Sequence, residues 1–152
     1  IHYEAKIKIG KNVRINSGFA LNPVGGSEKM GIWVGRNAEL NIGDNVGISN
    51  STIVCMNKIR IGEGTFIGGG CRIYDTDFHP VNAQARLLHD QGAIGRAPIK
   101  IGPKVFIGGH SIILKGSSIE EESVIGAGTV VAGKVPPREV WIGNPARLVK
   151  KL

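Results

Sequence analysis

Residues 101–131 read IGPKVF IGGHSI ILKGSS IEEESV IGAGTV V when broken every six positions. A branched aliphatic residue opens each unit, at Ile101, Ile107, Ile113, Ile119, Ile125 and Val131. A helix repeats at about 3.6 residues and a strand at 2, so a sustained period of six means a short strand plus a turn, repeated as one unit. Hexapeptides of this kind build a parallel β-helix. Glycine follows the aliphatic residue at Gly102, Gly108 and Gly126, which predicts a tight corner with positive φ there. The fifth column, Val105, Ser111, Ser117, Ser123, Thr129 and Val135, is small or β-branched and suits a narrow interior.

The same step extends toward the N-terminus. Ile61, Ile67 and Ile73 precede the quoted stretch, and Ile42, Ile48 and Val54 precede them after one extra residue. Val34 and Leu40 form an earlier pair, and Ile9, Ile15 and Leu21 mark the first coil. Asn22 to Gly31, with Pro23, Gly25 and Gly26, reads as a loop thrown out of a corner. Residues 74–98 lack the repeat and are rich in Asp, His and Arg, so they form a long inserted loop, the place to look for chemistry. Pro136-Pro137 should end the array. The tail 136–152 is expected to cover the open coil end with Trp141, Ile142, Leu148 and Val149, and Pro145 to open a short final helix. The whole span 1–152 suits one domain.

Twenty-three glycines against 5% aromatic residues fit many corners around a slim core. The apolar runs are too short for a transmembrane helix, so no membrane span is expected. Cys55 and Cys71 read as reduced, buried filler, which suits a cytoplasmic protein. The net charge of +7 favours an anionic partner. No aromatic residues interleave with the basic ones and no nucleic-acid motif is present, so nucleic acid is not expected.

Among candidate reactive groups, His79 stands out, because it sits in the inserted loop, followed by the stiffening Pro80 and preceded by Asp75 and Asp77. Histidine is the side chain best suited to accept a proton near neutral pH, and either carboxylate could orient it. His89 lies deeper in the loop, His110 occupies an outward fourth column, and His2 is near the chain start. These histidines lack the spacing of a zinc site, so no metal is expected. No serine or cysteine sits in a nucleophile elbow.

The motifs that go further are Asp77-Phe78-His79-Pro80 with Arg86, Pro98-Ile99-Lys100-Ile101-Gly102, Phe106-Ile107-Gly108-Gly109, Val124-Ile125-Gly126-Ala127-Gly128 and Gly143-Asn144-Pro145-Ala146-Arg147. In these the chain resembles the hexapeptide-repeat acyltransferases, in particular the sugar O-acetyltransferases similar to galactoside and maltose acetyltransferases. The Asp75-Thr76-Asp77 run looks closer to surface-polysaccharide O-acetyltransferases. The resemblance implies an all-β, left-handed parallel β-helix that works as a homotrimer with active sites between subunits. It implies acetyl-CoA as co-substrate, no metal, and direct transfer to a sugar or glycan-precursor hydroxyl. By the same resemblance His79 is the general base, the Gly109 amide bonds the thioester carbonyl, Ala127 lies along the pantetheine, and Arg147 and Lys150 meet the CoA phosphates. On the acceptor side Met56 stands where galactoside acetyltransferase has an acidic contact, leaving Asn50 and Asp77 as expected acceptor-binding residues. Two other readings remain at this point: a xenobiotic (antibiotic) acetyltransferase, and a non-catalytic β-helix serving as an oligomerisation scaffold.

Overall fold

The computed structural model describes residues 1–152. Its strands fall into three parallel sheets in which each strand pairs with the one three places along the chain. Sheet A holds β1 (Lys6–Ile9), β4 (Glu39–Ile42), β7 (Lys58–Ile61), β10 (Ile99–Ile101), β13 (Ser118–Ile119) and β16 (Lys134–Val135). Sheet B holds β2 (Arg14–Asn16), β5 (Gly47–Ser49), β8 (Phe66–Ile67), β11 (Phe106–Ile107), β14 (Val124–Ile125) and β17 (Glu139–Ile142), with β18 (Arg147–Lys151) added antiparallel on its outer edge. Sheet C holds β3 (Gly31–Val34), β6 (Thr52–Cys55), β9 (Arg72–Tyr74), β12 (Ile112–Leu114) and β15 (Val130–Val131). Three strands per turn make a triangular prism, a left-handed parallel β-helix of hexapeptide repeats, which departs from the usual right-handed crossover between parallel strands.

The aliphatic column forms the core as the period requires: Ile101, Ile107, Ile113, Ile119, Ile125 and Val131 are all buried. The small column lies beside it, and its hydroxyls satisfy corner carbonyls that no strand partner reaches. Ser111 Oγ donates to the carbonyls of Gly108 and Gly126, Ser123 Oγ to that of Pro136, and Thr65 Oγ1 to that of Gly102. A buried hydroxyl costs free energy unless it is bonded in this way.

The second-column glycines are required for a different reason from the one expected. Positive φ falls on the fourth column instead, at Lys104, His110, Gly116, Glu122 and Gly128. Gly102, Gly108 and Gly126 are needed because neighbouring chain leaves no space for a side chain. A Cβ on Gly102 would lie 2.8 Å from the amide nitrogen of Glu121, and one on Gly108 would lie 2.5 Å from that of Ala127.

Several other expectations are corrected. Leu21 is exposed in the loop before β3 rather than in a coil. Ile53 and Cys55 point inward from β6, so Val54 between them faces out; strand alternation, not the six-residue step, decides its side. Leu40 and Ile42 are two inward residues of the one strand β4. Pro136-Pro137 falls in a corner, where a missing N–H is tolerated, and β17 continues sheet B beyond it. No final helix forms at Pro145. Gly143 takes φ 108°, the chain reverses, and β18 pairs back on β17. Trp141 is partly buried against the core, but Leu148 and Val149 stay exposed.

Both cysteines are free and buried. Burial, helped by the charge of Asp75, pushes the Cys55 thiol up from its ordinary 9.0 to about 12. Burial likewise raises Cys71. Only a thiolate is an effective nucleophile, so native protein at pH 8 should resist alkylation at both sites, whereas denatured protein should react fully. Because the folded value of Cys55 lies above the unfolded one, its contribution is complete below pH 9.0 and is lost as pH rises toward about 12. Prompt thiol labelling of the native protein would contradict this assignment.

Candidate active site

The inserted loop leaves the prism at the corner between sheets C and A and is stapled there. The Asp75 carboxylate is buried and accepts from the amides of Met56, at 2.6 Å, and Asn57, at 2.8 Å. Asp77 N–H donates to Gly95 O and Ala97 N–H to Asp75 O, so the two ends of the loop form an antiparallel stem. Beyond it, a short helix α1 (Ala83–Leu87) is capped by Asn82, whose side chain accepts from Ala85 N–H. His89 then adopts φ 54°, a helix-ending conformation.

His79 projects from the stem and is exposed. Its amide donates to Asp77 O at 2.7 Å across Phe78, which has φ 63°, a tight three-residue turn that non-glycine residues rarely adopt. The Phe78 ring stands edge-on to Tyr74 at 5.1 Å, which offsets part of that strain. On the other side, Arg86 Nη1 donates to the carbonyls of Pro80 and Val81. The backbone of His79 is thus held from both directions while its imidazole is free. Phe78 is one of ten non-glycine residues with positive φ in the chain, so what distinguishes this turn is its three-residue hydrogen bond and the exposed imidazole beside it.

Neither candidate carboxylate orients that imidazole within the chain. Asp75 is committed to the corner amides, and Asp77 pairs with Lys115 at 3.2 Å. Asn50 is also out of an acceptor's reach. It is fully buried, its Oδ1 accepts from Gly18 N–H, and its Nδ2 donates to the carbonyls of Asn22 and Val24. Its task is to bind the loop before β3 to the body. His110 is exposed at a corner with its ring over Gly70, and His2 Nδ1 accepts from Glu4 N–H. No three His, Cys, Asp or Glu side chains gather as a ligand cluster.

The residues expected to hold CoA lie along the other border of sheet C, the corner between sheets B and C. Gly109 and Ala127 occupy successive turns of that edge, with Gly108 packed on the Ala127 backbone. Their amides find no acceptor within the chain, although their neighbours are bonded: Gly108 to Ile125 O, His110 to Gly69 O and Gly128 to Gly109 O. The third-column amides of Glu63, Gly69 and Glu121 are likewise unpartnered, so a free donor is common to the coil corners; Gly109 and Ala127 place two of them in line on an accessible edge that suits a carbonyl-bearing ligand. Arg147 lies at the end of this edge, opposite Ile142, and Lys150 lies opposite Val140, three residues further along β18. Both are exposed.

One chain therefore brings Gly109, Ala127 and Arg147 together, and keeps His79 apart from them across sheet C. From Gly109 to Lys115, which anchors the loop through Asp77, is six residues, roughly 15–20 Å of extended chain.

Sequence reasoning missed the groove between sheet C and the loop. Trp33, Val54, Met56, Phe78, Ile94 and Arg96 surround a cavity of about 600 Å³. The six-residue step places Val54 inward and gives Trp33 no position. Strict alternation along β3 and β6 would have turned both outward.

These features define the chain as a hexapeptide-repeat protein of the left-handed β-helix class, and it is similar to hexapeptide-repeat acetyltransferases in both sequence and structure. The family pattern described as bacterial transferase hexapeptide (six repeats) matches residues 98–133. The galactoside O-acetyltransferase of Escherichia coli (strain K12) is 35% identical over 130 residues, covering 86% of this chain and 59% of that protein. A solved galactoside acetyltransferase in complex with coenzyme A is 33% identical with a TM-score of 0.62, over 80% of this chain and 64% of the other. The hexapeptide-repeat acetyltransferase VCA0836 of Vibrio cholerae O1 biovar eltor, complexed with acetyl coenzyme A, superposes with a TM-score of 0.77 at 26% identity, over 95% of this chain and 70% of that one. The chain spans 56–59% of the length of the curated relatives it matches. No helix is long and apolar enough to cross a membrane.

Proposed function

We propose that the chain is an acetyl-CoA-dependent O-acetyltransferase, acting on a sugar or glycan-precursor hydroxyl in the cytoplasm as a homotrimer. The observation that carries this reading is the alignment of the free Gly109 and Ala127 amides with the exposed Arg147 on one edge of the prism. With the CoA phosphates at Arg147 and Lys150, the pantetheine runs past Ala127 and the thioester carbonyl accepts from the Gly109 amide. His79 takes the proton from the acceptor hydroxyl as its oxygen attacks the thioester carbon. The Gly109 N–H stabilises the oxyanion that forms, the C–S bond breaks, and the imidazolium returns its proton to the departing thiolate. No metal is needed for any step.

The separation of His79 from Gly109 makes the second copy necessary, because its B–C edge supplies the thioester to the first copy's base. An apolar ladder on sheet B supports such packing. Phe66 and Phe106 sit in register and are 58% and 50% exposed. Exposed aromatic pairs of this kind mark surfaces that a partner covers. Asp77, at the base of the His79 turn and 26% exposed on its side chain, is proposed to contact the acceptor while paired to Lys115.

Calorimetry tests the donor half directly. Arg147→Ala with Lys150→Ala is expected to weaken CoA binding about 10-fold or more, with a shallower salt dependence than the parent protein. Normal CoA affinity in that double variant would remove the phosphate assignment, and no CoA binding by the unaltered protein would remove the transferase reading.

A further inference from the structure

We infer that the groove between sheet C and the inserted loop takes an anionic sugar, its ring stacked on Trp33 and Phe78 and its phosphate or carboxylate paired with Arg96. The inference rests on the acetyltransferase reading and names the class of acceptor. The groove is lined by Phe78, whose chain neighbour His79 lies just outside the lining, so a sugar lodged there has to extend a hydroxyl past Phe78 to reach the base. Its volume of about 600 Å³ suits a single sugar ring with one substituent.

Its walls are mostly apolar. Trp33 is 61% exposed and Phe78 46%, in a protein with few aromatic residues; Val54, Met56 and Ile94 lie beside them, with Thr52, Thr76 and Gln91 as the uncharged polar part of the lining. A flat apolar ring face is what the less polar side of a sugar packs against. A free neutral sugar would leave Arg96 without a function.

Arg96 is the only charged residue lining the groove and has no carboxylate within salt-bridge distance. The acids of the loop are otherwise engaged. Asp75 is bonded to the amides of Met56 and Asn57, Asp77 is paired with Lys115, and Asp90, beside the lining residue Gln91, accepts from Gly92 N–H at 2.9 Å. An unpaired guanidinium beside an apolar wall selects a planar or tetrahedral oxyanion, which it binds with two parallel hydrogen bonds.

The test compares glucose, glucose 1-phosphate and glucuronate, with the corresponding galactose and N-acetylglucosamine sets, as acceptors in a thiol-release assay. The intrinsic fluorescence of Trp33 reports binding independently, with Trp33→Phe as the control for that signal. The anionic members are expected to show KM values at least about 10-fold below their neutral counterparts. Arg96→Gln is expected to bring that ratio close to one, and Arg96→Lys to restore part of it. The phosphate and carboxylate arms tell which oxyanion is used.

Equal KM values for neutral and anionic members would overturn the inference, as would an unchanged ratio in Arg96→Gln. Absence of any Trp33 response to millimolar anionic sugars would also overturn it. Acetyl transfer to neutral sugars alone would sink this inference and leave the transferase reading standing. Anionic sugars that quench Trp33 without any CoA binding would do the reverse.

Discussion

His79→Ala is expected to lower acetyl transfer by about 100-fold or more while leaving the fold and the oligomeric state unchanged. The first half follows from the role of the imidazole. Without a base, the acceptor must attack as a neutral alcohol, a far weaker nucleophile than one losing its proton in the same step. The second half follows from the structure. His79 is exposed and its side chain makes no hydrogen bond, while the turn around it is held by backbone, Arg86 and Phe78. Thiol release from acetyl-CoA, circular dichroism and size-exclusion chromatography measure the three quantities. Unchanged turnover would remove the catalytic assignment.

The same variant tests where the site is assembled. His79→Ala subunits retain the CoA edge, and subunits with Arg147→Ala and Lys150→Ala retain the base. If each site joins the loop of one copy to the edge of the next, an equal mixture refolded together contains intact sites in about one quarter of positions, and at acetyl-CoA well below the double variant's Kd activity should rise toward that fraction. No recovery in mixed oligomers would mean that one subunit builds the site by itself.

Gly62→Ala is expected to be the most damaging conservative change in the body of the prism, costing about 3 kcal/mol and lowering the melting temperature by roughly 6–12 °C. Its Cβ would lie 2.6 Å from the Gly102 carbonyl oxygen and nearer still to the Gly102 carbonyl carbon and the Pro103 nitrogen. These are backbone atoms of the next coil, so relief requires two coils to separate and stretches the ladder between β7 and β10. Gly133→Ala is the matched control. Nothing lies within 4 Å of its Cβ position and its φ is not positive, so the change should fall within about 0.5–1 kcal/mol of neutral, on the stabilising side. Equal melting temperatures for the two variants would show that glycine in this column is not required by the approach of the next coil.

The stacking, the inward aliphatic column and the small polar column were legible from Ile101 to Val131 because a prism with identical coils imposes one period on every residue. The inserted loop was legible as a gap in that period. His79 stood out by its place in that gap beside Pro80 and two carboxylates, whereas Gly109, Ala127 and Arg147 were legible only through motif resemblance, since nothing in their spacing says which corner each one reaches. Counting by sixes failed at Val54 and Leu21, where a strand carries two inward residues or a corner holds a loop. There local alternation and loop anchoring outweigh the repeat.

The sequence by itself determined the coil, because a six-residue period admits one way of burying its aliphatic side chains. It could not determine which edge of the triangle each loop would occupy, because that depends on the cumulative count of residues around every preceding turn. Only the tertiary structure put the base and the free amides on opposite borders of sheet C, committed Asn50 and Asp75 to holding loops, and opened a groove around an unpaired Arg96. Those outcomes arise between residues far apart in the chain, where hydrogen-bond partners and steric space are set by neighbours that no local pattern encodes.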